Sequence, residues 1–436
     1  MGAEPSFVEE VRLTAFKSFR DAVLPLDPLT LIVGRNGSGK SNALDGLWAL
    51  ARMSGEDDVR DALDGGREGP AVRGGVAGCA PFGSSSFALG CSVRTGASVV
   101  ELDVRVQTEP LVQIVYERLR AGGRDLLLTD DPREASSDIV ARWANAARGP
   151  NPPLTFRASR LLSTQVLSRV PATAAGQKVH LAAAQVLKAL RSVFVLDPVP
   201  HQMRQYVPRR DVLLRRNADN LSAAVASLLE QEDTKEVLRE ALASLNEQQV
   251  TDLEISSSDL DDVMLTVRER FAGRAHQVPA RVMSDGSLRF LAMLVALMQT
   301  PTAGSGTEHL ASEDASGQTM VVIEELENGL HASQAARLVA LIRDQVQRRQ
   351  VRALATAHSP ALLDALSGDE HRSVVVCQRD AEGRSTLARL TDLPNYVDIV
   401  AAGSLGRAAM TNRLRQESDA PDPAALLDDL FRSSTK

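Results

Sequence analysis

The sequence has few aromatic residues, few cysteines and no long apolar run, and each shortage excludes a class of protein. Aromatic residues make up 3% of the 436 residues, so surfaces that stack many nucleic-acid bases must be few. The 3 cysteines form neither a disulfide framework nor a metal cluster, which favours a reducing compartment. No apolar run approaches the roughly 20 residues of a membrane span, and the N-terminus lacks the apolar core of a signal peptide. We therefore expect a cytoplasmic protein with no membrane partner.

An excess of positive charge is missing as well. The formal net charge of −7 argues against a protein that coats nucleic acid, although a local basic face is still allowed. Hydrophobic residues at 44% and charged residues at 24% are typical of a soluble globular chain. The length suits one large domain or two ordinary ones.

A sustained heptad repeat is also absent, which excludes a long coiled-coil arm. Helical patterns in the middle of the chain are short and interrupted: Ser137–Ala147, Lys178–Leu190, Leu221–Glu230 and Glu236–Leu245. Asp233 and Glu236 have the spacing of a capping box that opens the last of them. The glycine-dense segment 65–86 predicts a mobile loop.

Strand patterns dominate the beginning of the chain and return near its end. Phe7–Leu13 alternates apolar and polar residues and predicts a hairpin with Val23–Leu26. Three runs separated by turn residues predict an antiparallel meander: Phe87–Val93, Val99–Val106 and Leu111–Leu119. Further strands are predicted at Val193–Leu196, Val263–Val267, Met320–Ile323 and Val351–Thr356, and a hairpin at Ser373–Arg379 and Ser385–Leu390. Helices are predicted at Leu288–Met298, Ser333–Arg348 and Pro360–Leu366, disorder at Pro301–Gly317, and a frayed helix in the acidic tail from Asp419.

What the sequence does contain is a glycine-rich loop between a strand and a helix. The apolar run Leu31–Val33 predicts a buried strand, and Asn42–Leu50 has apolar residues at helical spacing. The loop between them reads Gly34, Arg35, Asn36, Gly37, Ser38, Gly39, Lys40 and Ser41. Backbone N–H groups of such a loop cradle phosphates, Lys40 reaches the β- and γ-phosphates, and the Ser41 hydroxyl holds Mg²⁺. We predict a nucleoside triphosphate site, because a chance glycine-rich turn would lack these flanks.

Two later strands end in residues suited to the same chemistry. Met320–Ile323 is followed by Glu324 and Glu325, and because neighbouring residues point apart, one carboxylate can face the metal and the other a water. We assign Glu324 to the metal and Glu325 to the water. The strand Leu354–Ala357 delivers His358, which can sense a γ-phosphate as a neutral donor or as a cation. Ser284 and Gly286 precede an apolar helix and form a second anion site or an ordinary helix cap.

Together these stretches resemble the ABC-type ATPase head of the SMC and RecF class. Gly34–Ser41 matches its Walker A motif, Ser284–Ser287 its signature, Ile323–Glu325 its Walker B motif and His358 its switch histidine. Phe16–Phe19 also resembles an N-terminal segment of that class. Within the class, the chain is most similar to single-chain ATPases related to the OLD and RecF proteins, many of them found in bacterial defence operons. Leu326 and Ala332 replace two prolines usual in that subgroup.

The resemblance implies a fold class and a division of the chain. The fold is an α/β P-loop NTPase of the ABC-head type, with a mixed or parallel core sheet, an antiparallel β subdomain and an inserted helical lid. The N-terminal ATPase lobe spans residues 1–130, the lid 131–260, the C-terminal lobe 261–400 and a helical tail 401–436.

The resemblance also implies a mechanism in which ATP and Mg²⁺ bridge a head-to-tail homodimer. Ser284 and Gly286 would contact the γ-phosphate held by the other protomer, Lys17 would contribute to nucleotide binding, and hydrolysis would release the dimer. Glu325 and His358 would be the catalytic residues, and Ser41 and Glu324 the metal ligands. Such a dimer would gate a separate effector, for example a nuclease, or a DNA transaction in phage defence or repair.

Two alternatives remain open at this point, a transporter nucleotide-binding subunit and an ATP-binding scaffold with little turnover. Binding of DNA would need basic side chains, and two clusters are candidates. They are Arg209, Arg210, Arg215 and Arg216 in the lid, and Arg348, Arg349 and Arg352 near the core. A solvated charged face is the other interpretation of each cluster.

Overall fold

A computed structural model describes residues 6–55, 57–66, 71–130, 136–245, 249–271, 273–299, 320–329, 331–411 and 413–414. Within these ranges the strands are β1 (Ser6–Phe16), β2 (Phe19–Pro25), β3 (Leu29–Val33), β4 (Ser86–Thr95), β5 (Ser98–Gln107), β6 (Gln113–Ala121), β7 (Arg124–Thr129), β8 (Asp138–Trp143), β9 (Pro153–Arg157), β10 (Val193–Leu196), β11 (Val207–Pro208), β12 (Gln249–Ser257), β13 (Asp262–Phe271), β14 (Arg274–Pro279), β15 (Met320–Ile323), β16 (Arg352–Ala357), β17 (Val374–Arg379) and β18 (Ser385–Arg389).

The α-helices of the same ranges are α1 (Lys40–Met53), α2 (Val59–Asp64), α3 (Val166–Arg169), α4 (Ala174–Arg191), α5 (Leu221–Leu228), α6 (Glu232–Leu245), α7 (Asp285–Met298), α8 (Ala335–Arg349), α9 (Pro360–Asp364), α10 (Tyr396–Ala401) and α11 (Leu405–Met410). None of these helices combines the length and the apolar character needed to cross a bilayer.

One large mixed sheet organises the fold, in the order β10-β15-β16-β3-β17-β18-β2-β1-β4-β5-β6-β7-β8-β9. Its first five strands are parallel, and the part from β2 through β1 and β4 to β9 is antiparallel. The parallel strands β15 and β16 are buried throughout, as is usual for strands covered on both faces. In β5, exposed and buried residues alternate, as expected where one face meets water. The predicted α/β fold class is confirmed.

The parallel strands separate two hydrophobic cores because successive side chains point to opposite faces. Leu31 and Val33 of β3 join the core that contains α7 and α8, whereas Ile32 joins the core that contains α1 and α4. Strand β15 divides in the same way, with Val321 on the first side and Val322 on the second. The strands are therefore clamped between helices, and their carboxyl ends lie at one edge of the sheet.

A second sheet lies outside this arrangement and is wholly antiparallel. Strand β13 is its centre and pairs with β11, β12 and β14. Helix α5 supplies Leu221 and Val225, and helix α6 supplies Leu238, to the core that also contains Leu265 of β13. The range 131–260 is thus not purely helical: it contains strands of this second sheet, and β8 and β9 extend the large sheet.

Three local predictions are wrong. Residues 138–143 form strand β8 rather than a helix, with Ile139, Ala141 and Trp143 facing inward in strict alternation. Helix α6 begins at Glu232, so Asp233 lies inside it and does not cap it. In the glycine-dense segment, residues 71–81 are anchored rather than loose, since Val72, Val76 and Cys79 are buried and a 3-10 helix spans Ala77–Cys79, whereas residues 82–85 are exposed.

The remaining strand and helix predictions are confirmed, including the N-terminal hairpin, the meander and the strands that end before Gly34, Glu324 and His358. The predictions for Pro301–Gly317 and for the tail from Asp419 lie outside the described residues.

Glu117 of β6 is a fully buried carboxylate that ties the sheet to the segment before α3. Its oxygens accept the backbone N–H groups of Leu162 (2.7 Å) and Ser163 (2.7 Å) and the Ser163 hydroxyl (2.6 Å). Burial nevertheless raises the pKa of Glu117 to about 7, because these donors only partly replace lost hydration.

This raised pKa predicts a pH-dependent stability. A carboxyl group that holds its proton more tightly in the folded state stabilises the fold below its unfolded pKa, and that stabilisation is lost as the pH rises to about 7. Relative to Glu117→Gln, the wild-type free energy of unfolding should fall by about 2–3 kcal/mol between pH 5 and pH 8. Urea denaturation at both pH values measures this difference. The exposed Glu230→Gln is the control and should follow the wild type, and equal pH slopes for wild type and Glu117→Gln would contradict the assignment.

Candidate nucleotide-binding site

The glycine-rich loop connects the end of β3 to the start of α1, as expected from the sequence. Gly39 caps α1 with a φ of 116° and Gly34 follows β3 with a φ of 154°, a backbone region that side chains rarely tolerate. A Cβ atom at Gly34 would also clash with the carbonyl oxygen of Cys377 on β17, and one at Gly39 with Ser385 on β18. The loop is thus pressed against two neighbouring strands, and only glycine fits at these positions.

Lys40 and Ser38 point into the loop. The Lys40 ammonium donates to the carbonyl oxygens of Gly34 (2.9 Å) and Arg35 (3.0 Å). Burial lowers the pKa of Lys40, and Cys377 and the nearby glutamates offset this only in part. Ser38 Oγ is buried and has no hydrogen-bond partner within the described chain. A cation folded back over carbonyls and an unsatisfied hydroxyl are the groups that a phosphate would engage.

Ser41 and Glu324 meet across the sheet edge. The Ser41 hydroxyl donates to Glu324 Oε1, which joins the first turn of α1 to the end of β15. Arg73 lies over the same pair: its Nη1 donates to both Glu324 oxygens (3.0 and 2.9 Å), and its Nη2 donates to the Ser41 carbonyl oxygen (2.9 Å). The guanidinium also contacts Asp45, one turn further along α1, at 2.9 to 3.1 Å.

Glu325 lies just beyond the end of β15 and contacts different partners from Glu324. Its backbone N–H donates to Thr356 Oγ1 of β16 (2.8 Å), and its carboxylate accepts from Asn328 (3.2 Å). The residue has a φ of 54°, an uncommon value for a residue with a side chain and one often found at functional positions. The side chain is exposed, so it is open to a ligand.

His358 follows β16 and is adjacent to the same group of acids. Its backbone N–H donates to the Glu327 carboxylate. Burial, followed by the positive charge of Lys40, lowers the pKa of His358 below its usual value, so the imidazole is neutral at pH 7. Of the two forms considered for this residue, the neutral donor is therefore favoured.

Ser284 and Gly286 form the N-terminal turn of α7. Ser284 caps the helix, since its Oγ accepts the backbone N–H of Ser287 (3.1 Å). Gly286 packs against Gly329, and an added Cβ would clash with the Gly329 carbonyl oxygen. Arg204 steadies the turn through Met283 O (2.8 Å) and Asp285 (2.6 Å). Within the described chain, Ser284 makes no hydrogen bond to the glycine-rich loop.

Lys17 has a left-handed backbone conformation in the turn between β1 and β2. Its ammonium donates to Asp45 (2.7 Å) and to the carbonyl oxygen of Arg73 (2.7 Å), and its backbone N–H donates to Cys79 O (2.9 Å). The side chain is thus engaged with α1 and with the segment that carries Arg73. Its predicted contact with the nucleotide remains a prediction.

A groove of about 690 Å³, a size within the usual range for ligand pockets, is connected to the glycine-rich loop through Arg379. The turn between β1 and β2, the segment 77–84 and the turn between β17 and β18 form its walls. Four cationic side chains and one carboxylate line it: Lys17, Arg20, Arg379, Arg384 and Glu382. Arg379 reaches Gly37 O (2.9 Å), and Phe82 projects fully exposed at the rim.

Arg73 and Phe82 were not predicted from the sequence, because both lie in the segment interpreted as a loose loop. The apolar residues Val72 and Val76 near Arg73 are a sequence signal that this segment is anchored, but they do not indicate which partners Arg73 contacts.

The two basic clusters are mostly neutralised within the chain. Arg209 pairs with Asp261, Arg215 with Asp211 and Asp219, and Arg348 with Asp344. Arg352 is buried, donates to Val8 O and Leu26 O, and stacks 3.7 Å from the centre of the Phe7 ring. Burial lowers the pKa of Arg352 to about 10. Arg209, Arg215 and Arg348 thus remain at the surface although each is paired, whereas Arg352 is buried within the fold.

The donor set fits Mg²⁺ bound together with a nucleotide. Mg²⁺ prefers one or two protein oxygens with phosphate oxygens and water completing its shell. Ser41 and Glu324 supply such oxygens, and among the described residues no cluster of three His, Cys, Asp or Glu side chains forms a self-sufficient metal site.

Several solved structures match the chain at low similarity. An SMC head domain from Thermotoga maritima is 13% identical, with 88% of this chain and 98% of that chain covered and a TM-score of 0.41. The Smc head from Pyrococcus furiosus bound to the C-terminal domain of ScpA is 12% identical, with 91% and 99% covered and a TM-score of 0.44. RecF bound to ATP is 11% identical, with 88% and 98% covered and a TM-score of 0.39. No curated protein matches the sequence.

A family model matches most of the chain. The matched residues, 29–364, include the glycine-rich loop, the Ser284 turn, both glutamates after β15 and His358. The kind of family that these motifs predict is thereby confirmed. The chain belongs to the family described as "AAA domain, putative AbiEii toxin, Type IV TA system".

Proposed function

We propose that this protein binds ATP with Mg²⁺ at Gly34–Ser41 and hydrolyses it, and that the cycle closes and opens a head-to-tail dimer that gates a partner. One observation carries the proposal: Lys40, Ser41, Glu324 and Glu325 converge where β3 and β15 end, and Ser41 already contacts Glu324. Family membership supports the same chemistry.

Each residue has a role that follows from its position. Lys40 would exchange its carbonyl partners for phosphate oxygens, a charge-assisted contact. Ser41 and Glu324 would hold Mg²⁺, which neutralises phosphate charge. Glu325, which is exposed and makes no hydrogen bond with Ser41 or Arg73 in the described chain, would orient the attacking water. His358, whose pKa is lowered, would donate a hydrogen bond to the γ-phosphate as a neutral imidazole.

Dimerisation is supported by the surface around Ser284. The Ser284 turn makes no hydrogen bond to the glycine-rich loop in the described chain, and the side chains of Ser284 and Asp285 are exposed. Val282, just before them, is 67% exposed, which suits a surface that a second protomer covers. In the closed dimer, Ser284 and Gly286 would contact the nucleotide of the other protomer.

The groove would take the nucleoside. Arg379, one of its lining residues, contacts Gly37 O of the glycine-rich loop, and its cationic walls suit a ligand that carries phosphates. Phe82 is the exposed aromatic side chain at its rim, and a base can stack on such a ring. Lys17, which also lines the groove, would act through its contacts with Asp45 and with the carbonyl oxygen of Arg73.

The gated partner is most consistent with a separate effector protein, for example a nuclease in phage defence, because most arginines of the two basic clusters are already paired or buried. A DNA transaction in repair is the second candidate. The cytoplasm is the proposed compartment, and the buried free thiols of Cys79, Cys91 and Cys377 are compatible with it. The domain division at 1–130, 131–260, 261–400 and 401–436 also remains a proposal.

Lys40→Ala tests the site itself. Loss of the ammonium should weaken binding of a fluorescent ATP analogue by about 2–3 kcal/mol, roughly 30- to 150-fold, because a charge-assisted phosphate contact is removed. Fluorescence titration measures the affinity, and Lys178→Ala, an exposed lysine on α4, is the control. Undiminished affinity in Lys40→Ala would rule out the assigned phosphate site.

Glu325→Gln separates hydrolysis from binding. ATP turnover should fall about 100-fold or more, while affinity is retained, because the water loses its acceptor. The variant should then accumulate as an ATP-bound dimer in size-exclusion chromatography with light scattering, whereas the exposed Glu240→Gln should behave as the wild type. If the wild type binds ATP without turnover and Glu325→Gln changes neither property, the protein is an ATP-binding scaffold.

Phe82→Ala tests the place of the nucleoside. Affinity for ATP should fall about tenfold, since a base–aromatic contact is lost, while affinity for inorganic tripolyphosphate should stay the same. Competition against the fluorescent analogue measures both ligands. Leu260→Ala removes an equally exposed apolar side chain from the turn between β12 and β13 and serves as the control. An equal loss for both ligands would show that Phe82 does not contact the base.

A further inference from the structure

Arg73 is held in place by its surroundings rather than left to move in solvent. Val72 and Val76 on either side are buried, with backbone bonds from Val72 to Leu63 O (2.9 Å) and from Val76 to Asp64 Oδ1 (2.7 Å). The Arg73 carbonyl oxygen accepts from Lys17 (2.7 Å). The backbone is therefore anchored on both sides, and the side chain is directed towards α1 and β15.

The guanidinium occupies the ligands assigned to the metal. Its three nitrogens all donate: Nε to Asp45, Nη1 to Glu324, and Nη2 to Asp45 and to Ser41 O. Glu324 also accepts the Ser41 hydroxyl, so its oxygens are engaged by Arg73 and Ser41 together. A carboxylate offers about four lone-pair positions, and those that face Ser41 are the ones a metal beside Ser41 would need.

The charges around Glu324 also indicate that Arg73 occupies the position of a cation. Asp45 is buried and is balanced by Lys17 and Arg73 together, whereas Glu324 has Arg73 as its ion-pair partner within the described chain. A cation at this position satisfies Glu324. Its Oε1 already accepts from both Ser41 and Arg73, so both lone pairs of that oxygen are engaged and Mg²⁺ bound there would have to replace one of these donors. Asp45 would keep hold of Arg73 after Glu324 was released, so the side chain needs only a local movement.

We propose that Arg73 holds Glu324 in the nucleotide-free protein and competes with Mg²⁺ for it, so that Mg²⁺–nucleotide must displace this arginine to bind. Arg73 is thereby a positioning residue that sets how much Mg²⁺ the site requires. This inference rests on the proposed nucleotide site. It adds that the Arg73 guanidinium takes the place of the metal ion when no nucleotide is bound.

Displacement has a consequence for the groove. Arg73 belongs to the same segment as the 3-10 helix Ala77–Cys79 and the groove wall that follows it, and Lys17 bonds to both Arg73 O and Cys79 O. Release of Glu324 therefore removes the contact that holds this segment against the end of β15. Amide hydrogens of residues 72–79 should then exchange faster.

The test measures the Mg²⁺ dependence of binding for a fluorescent, non-hydrolysable ATP analogue, so it does not depend on turnover. Arg73→Gln should lower the Mg²⁺ concentration for half-maximal binding about tenfold, because a charge-assisted pair no longer opposes the metal. Arg73→Lys keeps the positive charge but has a single ammonium group. Its Mg²⁺ concentration for half-maximal binding should lie between those of the wild type and Arg73→Gln. Arg60→Gln on α2 makes the same change in net charge at an exposed position and should match the wild type.

Hydrogen exchange on the wild type provides a second measurement that needs no variant. Exchange in residues 72–79 should rise with Mg²⁺ and the analogue together, and not with the analogue in EDTA. An unchanged Mg²⁺ requirement in a folded Arg73→Gln, or unchanged exchange in the wild type, would overturn the role of Arg73 while leaving nucleotide binding intact. A wild type that binds no analogue at any Mg²⁺ concentration would instead overturn the proposed function.

Discussion

The hydrogen-bond register between the parallel strands is the constraint on which the site depends. Ile323 of β15 lies beside Ala355 of β16, which lies beside Leu31 of β3, and Ala357 lies beside Val33. This register brings Gly34 to the same edge of the sheet as Glu324 and His358, which lie far from it in the sequence. A shift by one residue would turn every side chain of a strand to the opposite core, so burial on both faces protects the register and, with it, the site.

Acidic and basic side chains lie close together at this edge of the large sheet. The acidic groups Asp45, Glu324, Glu325 and Glu327 stand close to Lys17, Lys40 and Arg73, and each cation is already held by carbonyl or carboxylate oxygens. Buried pairs of this kind contribute little net stability, because desolvation offsets most of the attraction. These pairs keep charged groups next to the positions that we propose for the phosphates and the metal. Lowered pKa values at Lys40 and His358 reflect the same partial burial.

The sequence predicts local features well, and it predicts poorly the contacts that several distant segments make together. The glycine-rich loop, both glutamates and the strands before them could be read from spacing, because strand, turn and helix signals coincide within a few residues. The sequence of β8 predicts a helix because Ile139, Val140 and Trp143 also fit a helical spacing. The pairing with β7 and β9 that makes this segment a strand is not visible in its own residues. The role of Arg73 depends on α1, β1 and β15 at once, and no local pattern contains that information.

One segment links three parts of the site. Residues 71–84 carry Arg73 against Glu324, the Cys79 carbonyl against the backbone of Lys17, and Phe82 at the rim of the groove. Because Lys17 holds Asp45 as well, a change at the proposed metal ligand Glu324 would reach the groove wall through direct contacts rather than through the sheet. The sheet is held by its register and its two cores, whereas the Arg73 side chain is held by polar contacts that a bound nucleotide and metal would replace. We therefore infer a rigid element that positions the proposed catalytic groups and an adjustable side chain that responds to occupancy of the site.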